Sequence, residues 1–410
     1  MHIWQALIEG LVQGLTEFLP VSSSAHLVFA DHFLHLRLSD TETVFFDIVL
    51  HLGTLVAVLA YFYRDVLLMI QGAAQLVVKP RKAWATNPNS RLFVLLVLGT
   101  IPAAIAGKSL QPLFESAFQN VPGTAAFLIV TAIMLFWISR RQSGSRTIES
   151  VTWKDALSIG LCQAVAILPG ISRSGSTITG GLIRGLDREA APRFSFLLSI
   201  PIILGGGLLE IKDVMHTGTP LSMTVLLAGF LTAAISGYIA VVLLLGMVRR
   251  GKLDRFAYYC LAAGVLVLAY WTLLVPKIDM NQAMAKTPLE TYKMDAKSAE
   301  IGNIELGQPV QFQLAVQPGL VPVKEMYAIL PHGISNGFAQ MHEAKFTNPA
   351  GDNTYISEQY KLVPIGDTYE PTSAGEVREI WVVVRNRWGI QNEARIRVRV
   401  VPESLRSRTA

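Results

Sequence analysis

The stretch "EGLVQGLTEFLPVSSSAHLVFADHFLHL", residues 9–36, lies in an apolar segment yet carries Glu9, Glu17, three consecutive serines and His26, His32 and His35. A plain membrane span would exclude such groups, because ionisable side chains are expensive in hydrocarbon. The segment is also broken near its middle by "LPVSSSAH". Each half, about 15 residues at ~1.5 Å rise, is too short to cross a core of roughly 30 Å. A second break of this kind, "LPGISRSGST", interrupts residues 155–183. Residues 5–36 and 155–183 are therefore read as re-entrant helix–turn–helix pairs that enter the bilayer and return to the side they left.

The rest of the chain agrees with a membrane setting. Of its 410 residues 51% are hydrophobic and 16% charged, which excludes an ordinary soluble enzyme of this size. Six further apolar runs, near 43–63, 92–107, 122–139, 194–212, 223–247 and 256–275, are each long enough to span. The two cysteines, Cys162 and Cys260, both fall in apolar segments and offer neither a disulfide framework nor a CxxC metal site. The opening "MHIWQALIEG" has no basic n-region or small-residue cleavage site, so the first segment is expected to be retained.

Basic residues orient the threading, since cytoplasmic loops collect Lys and Arg. Six spans and two re-entrant pairs place sixteen of them on one side: Arg64, Lys79, Arg81, Lys82 and Arg91; Arg140, Arg141, Arg146 and Lys154; Arg184, Arg188 and Arg193; Arg249, Arg250, Lys252 and Arg255. The other side receives only Arg37, Lys108 and Lys212. Arg173 is left inside the second broken segment. The first pair then dips in from outside and the second from inside. Their cores, "LVQGLTEFLPVSSS" and "LCQAVAILPGISRS", are alike. This is the pattern of inverted repeats whose broken helices meet near the midplane around a polar site.

After Pro276 the apolar runs give way to period-two alternation in "VQFQLAV" from 310, "EIWVVVRN" from 379 and "ARIRVRVV" from 394, with turn signals "NPAGDN" and "PTSAGE". The expected fold is thus an all-α polytopic membrane domain over 1–275, with inverted-topology repeats and two re-entrant pairs. A polar linker over 276–299 follows, then an extracytoplasmic β-sandwich over 300–410. The ending "VRNRWGIQNEARIRVRV" resembles the last hairpin of an immunoglobulin-like domain.

The candidate chemistry gathers at the two breaks. Gln13 and Glu17, four apart, share a helix face with Glu9. Pro20 ends that helix, and Ser22, Ser23 and Ser24 stand at the mouth of the next, where exposed N–H groups and the dipole favour an anion. His26 follows three residues after Ser23. In the second half Ser172, Ser174 and Thr177 offer hydroxyls at a helix start, and Arg173 brings a guanidinium fork suited to phosphate oxygens. A serine at a helix start is often simply an N-cap. An arginine, two helix N-termini and a ring of hydroxyls converging in a membrane nevertheless describe an anion site. A carboxylate and an imidazole beside it add a metal ligand or a general acid and base. His32, His35 and His51 have no such company and are set aside.

"QGLTEFLPVSSSAHL" and "PGISRSGST" are similar to the two signature motifs of the bacterial undecaprenyl-diphosphate phosphatase family of the bacitracin-resistance type, over roughly residues 1–275. The resemblance implies hydrolysis of undecaprenyl diphosphate to the monophosphate carrier used in peptidoglycan synthesis. It also implies a divalent cation, Mg²⁺ or Ca²⁺, and a site open to the outer face of the cytoplasmic membrane. By matching positions it singles out Gln13, Glu17, Ser22, Ser23 and His26 in the first motif, and Ser172, Arg173 and Thr177 in the second. Gln13 stands at the first acidic position of the motif, which leaves Glu17 as the expected metal ligand. The C-terminal β region is an addition to the family pattern.

The resulting expectation has Arg173 and the helix N-termini holding the diphosphate and Glu17 binding the cation. Ser23 attacks phosphorus with His26 as base, while His26 itself and a metal-activated water stay open as nucleophiles. Gln13, Ser22, Ser24, Ser172, Ser174 and Thr177 are expected to line the substrate. Expected partners are the polyprenyl diphosphate lipid and the membrane, not nucleic acid; an envelope partner of the β region and an oligomer are left open. The competing reading is a transporter or flippase of a polyprenyl phosphate or other anion, which inverted repeats also suit.

Overall fold

The structure is a computed structural model. It describes residues 1–285 except 35, 37, 39, 119 and 216–220, and beyond them 291–295, 298–305, 309–310, 312–317, 320–321, 323–330, 342–348, 354–357, 360–361, 376–388 and 390–401. The chain divides into two compact units, Met1–Leu268 and Ala269–Ala410.

The first unit is helical. In order it contains α1 (Ile3–Phe18), α2 (Ser23–Leu34), α3 (Asp40–Tyr61), α4 (Tyr63–Val78), α5 (Pro80–Thr86), α6 (Pro88–Ser109), α7 (Gln111–Phe118), α8 (Val121–Ser139), α9 (Trp153–Val165), α10 (Arg173–Ile183), α11 (Ala190–Met215), α12 (Met223–Arg249) and most of α13 (Asp254–Leu273). Among the described residues six stretches are long and apolar enough to cross a membrane: Glu42–Tyr61, Pro88–Ser109, Val121–Ser139, Ala190–Gly207, Met223–Arg249 and Asp254–Leu273. They coincide with the six runs read from hydropathy, so this is a polytopic membrane domain. The two broken segments are helix pairs of 16 and 12 residues and of 13 and 11 residues, each shorter than a span.

Small residues let these pairs pack closely on neighbouring helices. A Cβ on Gly10 would lie 2.5 Å from the Gly229 carbonyl oxygen, and one on Gly14 would lie 2.5 Å from that of Ala233, so α1 and α12 touch backbone to backbone. The second pair repeats this: a Cβ on Gly160 would lie 2.3 Å from the Gly99 carbonyl oxygen, pressing α9 onto α6. Lipid gives helices no hydrophobic reason to associate, so such close approach is what small residues contribute. The core between them is built from Phe18, Leu50, Leu128, Leu135, Phe194, Phe196, Leu197 and Leu198, all fully buried.

At one end of this unit the basic loops are tied together. Asp155, fully buried, takes Arg146 Nη2 at 2.6 Å and Arg184 Nε at 2.6 Å; Arg193 pairs with Asp65, and Arg249 with Glu189 at 2.9 Å. Four loops that the threading places on one side are therefore joined by ion pairs.

The second unit begins with the last turn of α13 and continues as a largely antiparallel sheet: β1 (Lys277–Ala285), β2 (Thr291–Asp295), β3 (Ser298–Glu305), β4 (Pro309–Val310), β5 (Phe312–Gln317), β6 (Val323–Leu330), β7 (His342–Thr347), β8 (Thr354–Ser357), β9 (Tyr360–Lys361), β10 (Glu376–Asn386) and β11 (Gln391–Val401). The main sheet runs β1-β5-β8-β7-β6-β10-β11-β3-β2, with one parallel pair between β11 and β3, and β4 pairs with β9. The long hairpin of β10 and β11 is in register from Glu376 opposite Val400 to Arg385 opposite Gln391. This hairpin and the run from 310 are strands, as the alternation predicts; most of "NPAGDN" and "PTSAGE" lies outside the described residues.

The stretch 276–299 is not a linker. Residues 277–285 and 291–295 are strands, and β1 pairs with β5 from Lys277 opposite Gln317. Its alternation rests on Ile278, Met280, Tyr292 and Met294 among Lys, Gln, Asn and Thr, too few strong β-formers to stand out from a polar spacer.

Candidate active site

The site forms where the turn after α1 meets the turn before α10. Each turn needs one left-handed residue: Ser22 at φ 67° in the first and Gly170 at φ 99° in the second. Gly170 has a further reason to be glycine, since a Cβ there would lie 2.3 Å from the Thr124 carbonyl oxygen. The turns then exchange hydrogen bonds. Gly170 N donates to Ser22 Oγ at 3.2 Å, and Ser174 Oγ donates to the Leu19 carbonyl at 3.0 Å. Thr131 supports the second turn, donating to the Gly170 carbonyl at 2.8 Å and accepting from Ser172 N at 3.1 Å.

Glu17 is the hub. Arg173 Nη2 donates to its Oε1 at 2.5 Å, Ser23 Oγ donates to its Oε2 at 2.7 Å, and Gln13 Nε2 donates to the same oxygen at 3.1 Å. His51 brings Nε2 to 3.9 Å from Oε2, with its Nδ1 held by the Asp47 carbonyl at 2.7 Å. Glu17 is buried, while Ser23, Ser24 and Arg173 around it are partly exposed. The N–H groups of Ser23 and Ser24 head α2, and those of Arg173 and Ser174 head α10; none has an intrahelical acceptor.

The structure thus brings Gln13, Glu17, Ser23 and Arg173 into one hydrogen-bonded chain. His26 is not part of it. Its Nδ1 faces the Ser22 carbonyl at 2.8 Å, its Nε2 meets the Tyr259 hydroxyl at 2.7 Å, and the two rings stack at 5.6 Å. The expected pairing of Ser23 with His26 is therefore replaced by pairing of Ser23 with Glu17. At the first turn of a helix the imidazole folds back onto the carbonyl four residues earlier instead of reaching forward.

Several other candidates hold the scaffold. Ser172 caps α10 by accepting from Gly175 N at 3.1 Å and lies 3.2 Å from Ser174. Thr177 is bound to the Arg173 carbonyl at 2.8 Å and to Ser195 at 2.6 Å. Ser22 shares its hydroxyl with Ser24 at 3.1 Å. Glu9 is buried in line with Gln13 and Glu17. Sequence reasoning missed Tyr259 and His51; their only signal is proximity across the fold, 233 residues from His26 and 34 from Glu17.

Two orphaned atoms show what this chain lacks. Arg173 Nη1 is a buried donor with no acceptor, and Gln13 Oε1 is a buried acceptor with no donor. The first suits a phosphate oxygen; the second, beside the Glu17 carboxylate, suits a cation or a water bound to one. Among the described residues no three His, Cys, Asp or Glu side chains cluster to cage a metal. The donor set fits a hard cation only in the mode where one carboxylate, waters and substrate phosphates share it.

Residues 6–266 match the family described as bacitracin resistance protein BacA. The chain belongs to this family. Among its relatives are the undecaprenyl-diphosphatases of Geotalea daltonii, 45% identical over 273 residues, and of Methanobrevibacter smithii, 44% identical over 275 residues. That of Methanosphaera stadtmanae is 41% identical over 275 residues. These alignments cover 97–98% of each relative but 65–66% of this chain, so the β unit lies beyond what BacA relatives share. The hub residues all fall within the BacA match.

Proposed function

We propose that this chain is an integral-membrane phosphatase that hydrolyses undecaprenyl diphosphate to undecaprenyl phosphate and inorganic phosphate. It would thereby recycle the lipid carrier of peptidoglycan synthesis and confer bacitracin resistance. The observation that carries this reading is the chain Arg173–Glu17–Ser23, which joins an anion-binding guanidinium, a base and a hydroxyl nucleophile between two helix N-termini. A polyprenyl tail stays in lipid while its charged head enters such a site.

In this reading the terminal phosphate takes the free Nη1 of Arg173 and the N–H groups at the starts of α2 and α10. An ion-paired carboxylate is a poor base. Phosphate drawn to Arg173 loosens the Arg173–Glu17 pair and raises the basicity of Glu17 as substrate arrives. Ser23 Oγ then attacks the terminal phosphorus and its proton passes to Glu17 Oε2, which hands it to the bridging oxygen as that P–O bond breaks, so that undecaprenyl phosphate leaves and the Glu17 carboxylate is free again. Water, deprotonated by the same carboxylate, hydrolyses the phosphoserine. Glu17 and Gln13 Oε1 would hold a divalent cation, Mg²⁺ or Ca²⁺, which supplies charge neutralisation at the phosphates when bound. His26, tied to Tyr259, positions the first turn of α2.

We read α1–α2 and α9–α10 as re-entrant pairs of an inverted repeat, on their length and their matching helix contacts. The site then opens to the outer face of the cytoplasmic membrane, the side that also carries the β unit, which we read as an immunoglobulin-like sandwich. The second pair has no acid between Gln163 and Pro169, so one half supplies the base and the other the arginine. Phosphate release from a polyprenyl diphosphate by purified protein, with and without EDTA, tests the activity and the cation together. No release under either condition, from folded protein, refutes the reading.

A further inference from the structure

α13 is 20 residues long, about 30 Å, and matches the hydrocarbon core. It begins with Asp254 and Arg255 and carries near its other end the half-buried Tyr270, an aromatic side chain typical of a headgroup boundary. A helix leaves its last carbonyls without partners, and at this boundary they need donors. Within the second unit the β region supplies them. Leu320 N donates to the Leu273 carbonyl at 2.8 Å, Asn386 Nδ2 to that of Leu274 at 3.0 Å, and Asn392 Nδ2 to that of Pro276 at 3.0 Å. Asn386 is fully buried, and its Oδ1 also accepts Trp388 N and Ile390 N, each at 3.0 Å, which fixes the hairpin turn.

The exposed large apolar side chains described in this unit are Leu273 at 47%, Leu320 at 73% and Trp388 at 69%. All three belong to the segments that meet at the end of α13. Among the residues of this unit whose exposure is described, Val316, Val382, Val383 and Val384 are by contrast inaccessible. Arg387, exposed next to Trp388, adds a guanidinium that suits lipid phosphate.

We propose that the β10–β11 turn, with Leu320 and Leu273, is a lipid-contact foot: Trp388 and Leu320 insert at the headgroup level of the bilayer that α13 leaves, and Arg387 binds headgroup phosphate. The occupant is the membrane itself, because the turn is bonded to the helix end that defines the boundary. A tryptophan with an apolar body and a polar N–H is the side chain best suited to that depth.

The test uses the full chain in single-copy nanodiscs. Trp388 emission is read as the difference between wild type and Trp388→Phe, since the chain has seven tryptophans. With lipids brominated high on the acyl chain, the difference signal loses most of its intensity, and its maximum is blue-shifted. Trp388→Glu makes the β unit more sensitive to protease in nanodiscs and no more sensitive in detergent, while phosphatase turnover in detergent is unchanged. A difference signal that is water-like, quenched by acrylamide and indifferent to brominated lipid overturns the proposal. So does one that shifts only when a second copy or a soluble glycan is added.

Discussion

Replacing Glu17 by Gln keeps the size of the side chain and removes its charge and its basicity. In the structure this carboxylate accepts from Ser23, Gln13 and Arg173, so the change withdraws the proposed base from the hydroxyl 2.7 Å away. General-base help is worth about 10²–10⁴ in rate, or about 3–5 kcal/mol of barrier. Glu17→Gln should therefore lower kcat for phosphate release by that factor, and Ser23→Ala by at least as much. Because the two act as one unit, the double variant should be no slower than Ser23→Ala alone. His26→Ala, which breaks a bond to Tyr259 and none to Ser23, should cost less than about tenfold, a positioning loss smaller than that of a base. The assay is phosphate release in detergent from protein whose thermal midpoint shows it folded. Additive losses at Glu17 and Ser23, or a phosphohistidine trapped at residue 26, would refute the assignment of the base and the nucleophile.

Arg173→Ala should abolish turnover in folded protein, and Arg173→Lys should recover little, because Lys can answer Glu17 or the phosphate but not both; substrate titration of the two variants checks this. Asp155 is pulled two ways: burial alone would raise its pKa, but Arg146, Thr152 and Arg184 together hold it well below the ordinary carboxylate range. Its contribution to stability is therefore present above the unfolded value, about pH 4, and lost as pH falls toward the folded value. The thermal midpoint in detergent should drop on acidification below that point, and Asp155→Asn should start lower and show less of the drop. Gly170→Ala should leave little folded protein, since a strained φ of about 1–2 kcal/mol is added to a backbone clash; expression and size-exclusion profiles report it.

Hydropathy and the positions of Pro20 and Pro169 make the membrane spans and the two broken pairs legible, because lipid demands long apolar runs and a break in one is conspicuous. Glu17, Ser23 and Arg173 stand out for the same reason: charge and hydroxyls there need an explanation. Which of them touch is not readable from spacing. Ser23 and His26, three apart, suggest a pair, yet His26 turns to Tyr259 on α13 and Ser23 turns back to Glu17 across the turn. His51 looks like an isolated polar residue in a span until α3 is packed beside α1. The strands before residue 300 escape notice because their alternation is carried by Met and Ile among long polar side chains.

The exchange of bonds between Ser22 and Gly170, and between Ser174 and Leu19, joins residues 148 and 155 positions apart. During synthesis the first turn enters the membrane long before its partner exists, with Ser22 required to hold a left-handed backbone that nothing yet supports. The proposed site therefore forms only once residues far apart in the chain have both been made and their turns meet. Separately expressed halves, divided in the loop between α8 and α9, should each insert without activity and regain it only on meeting.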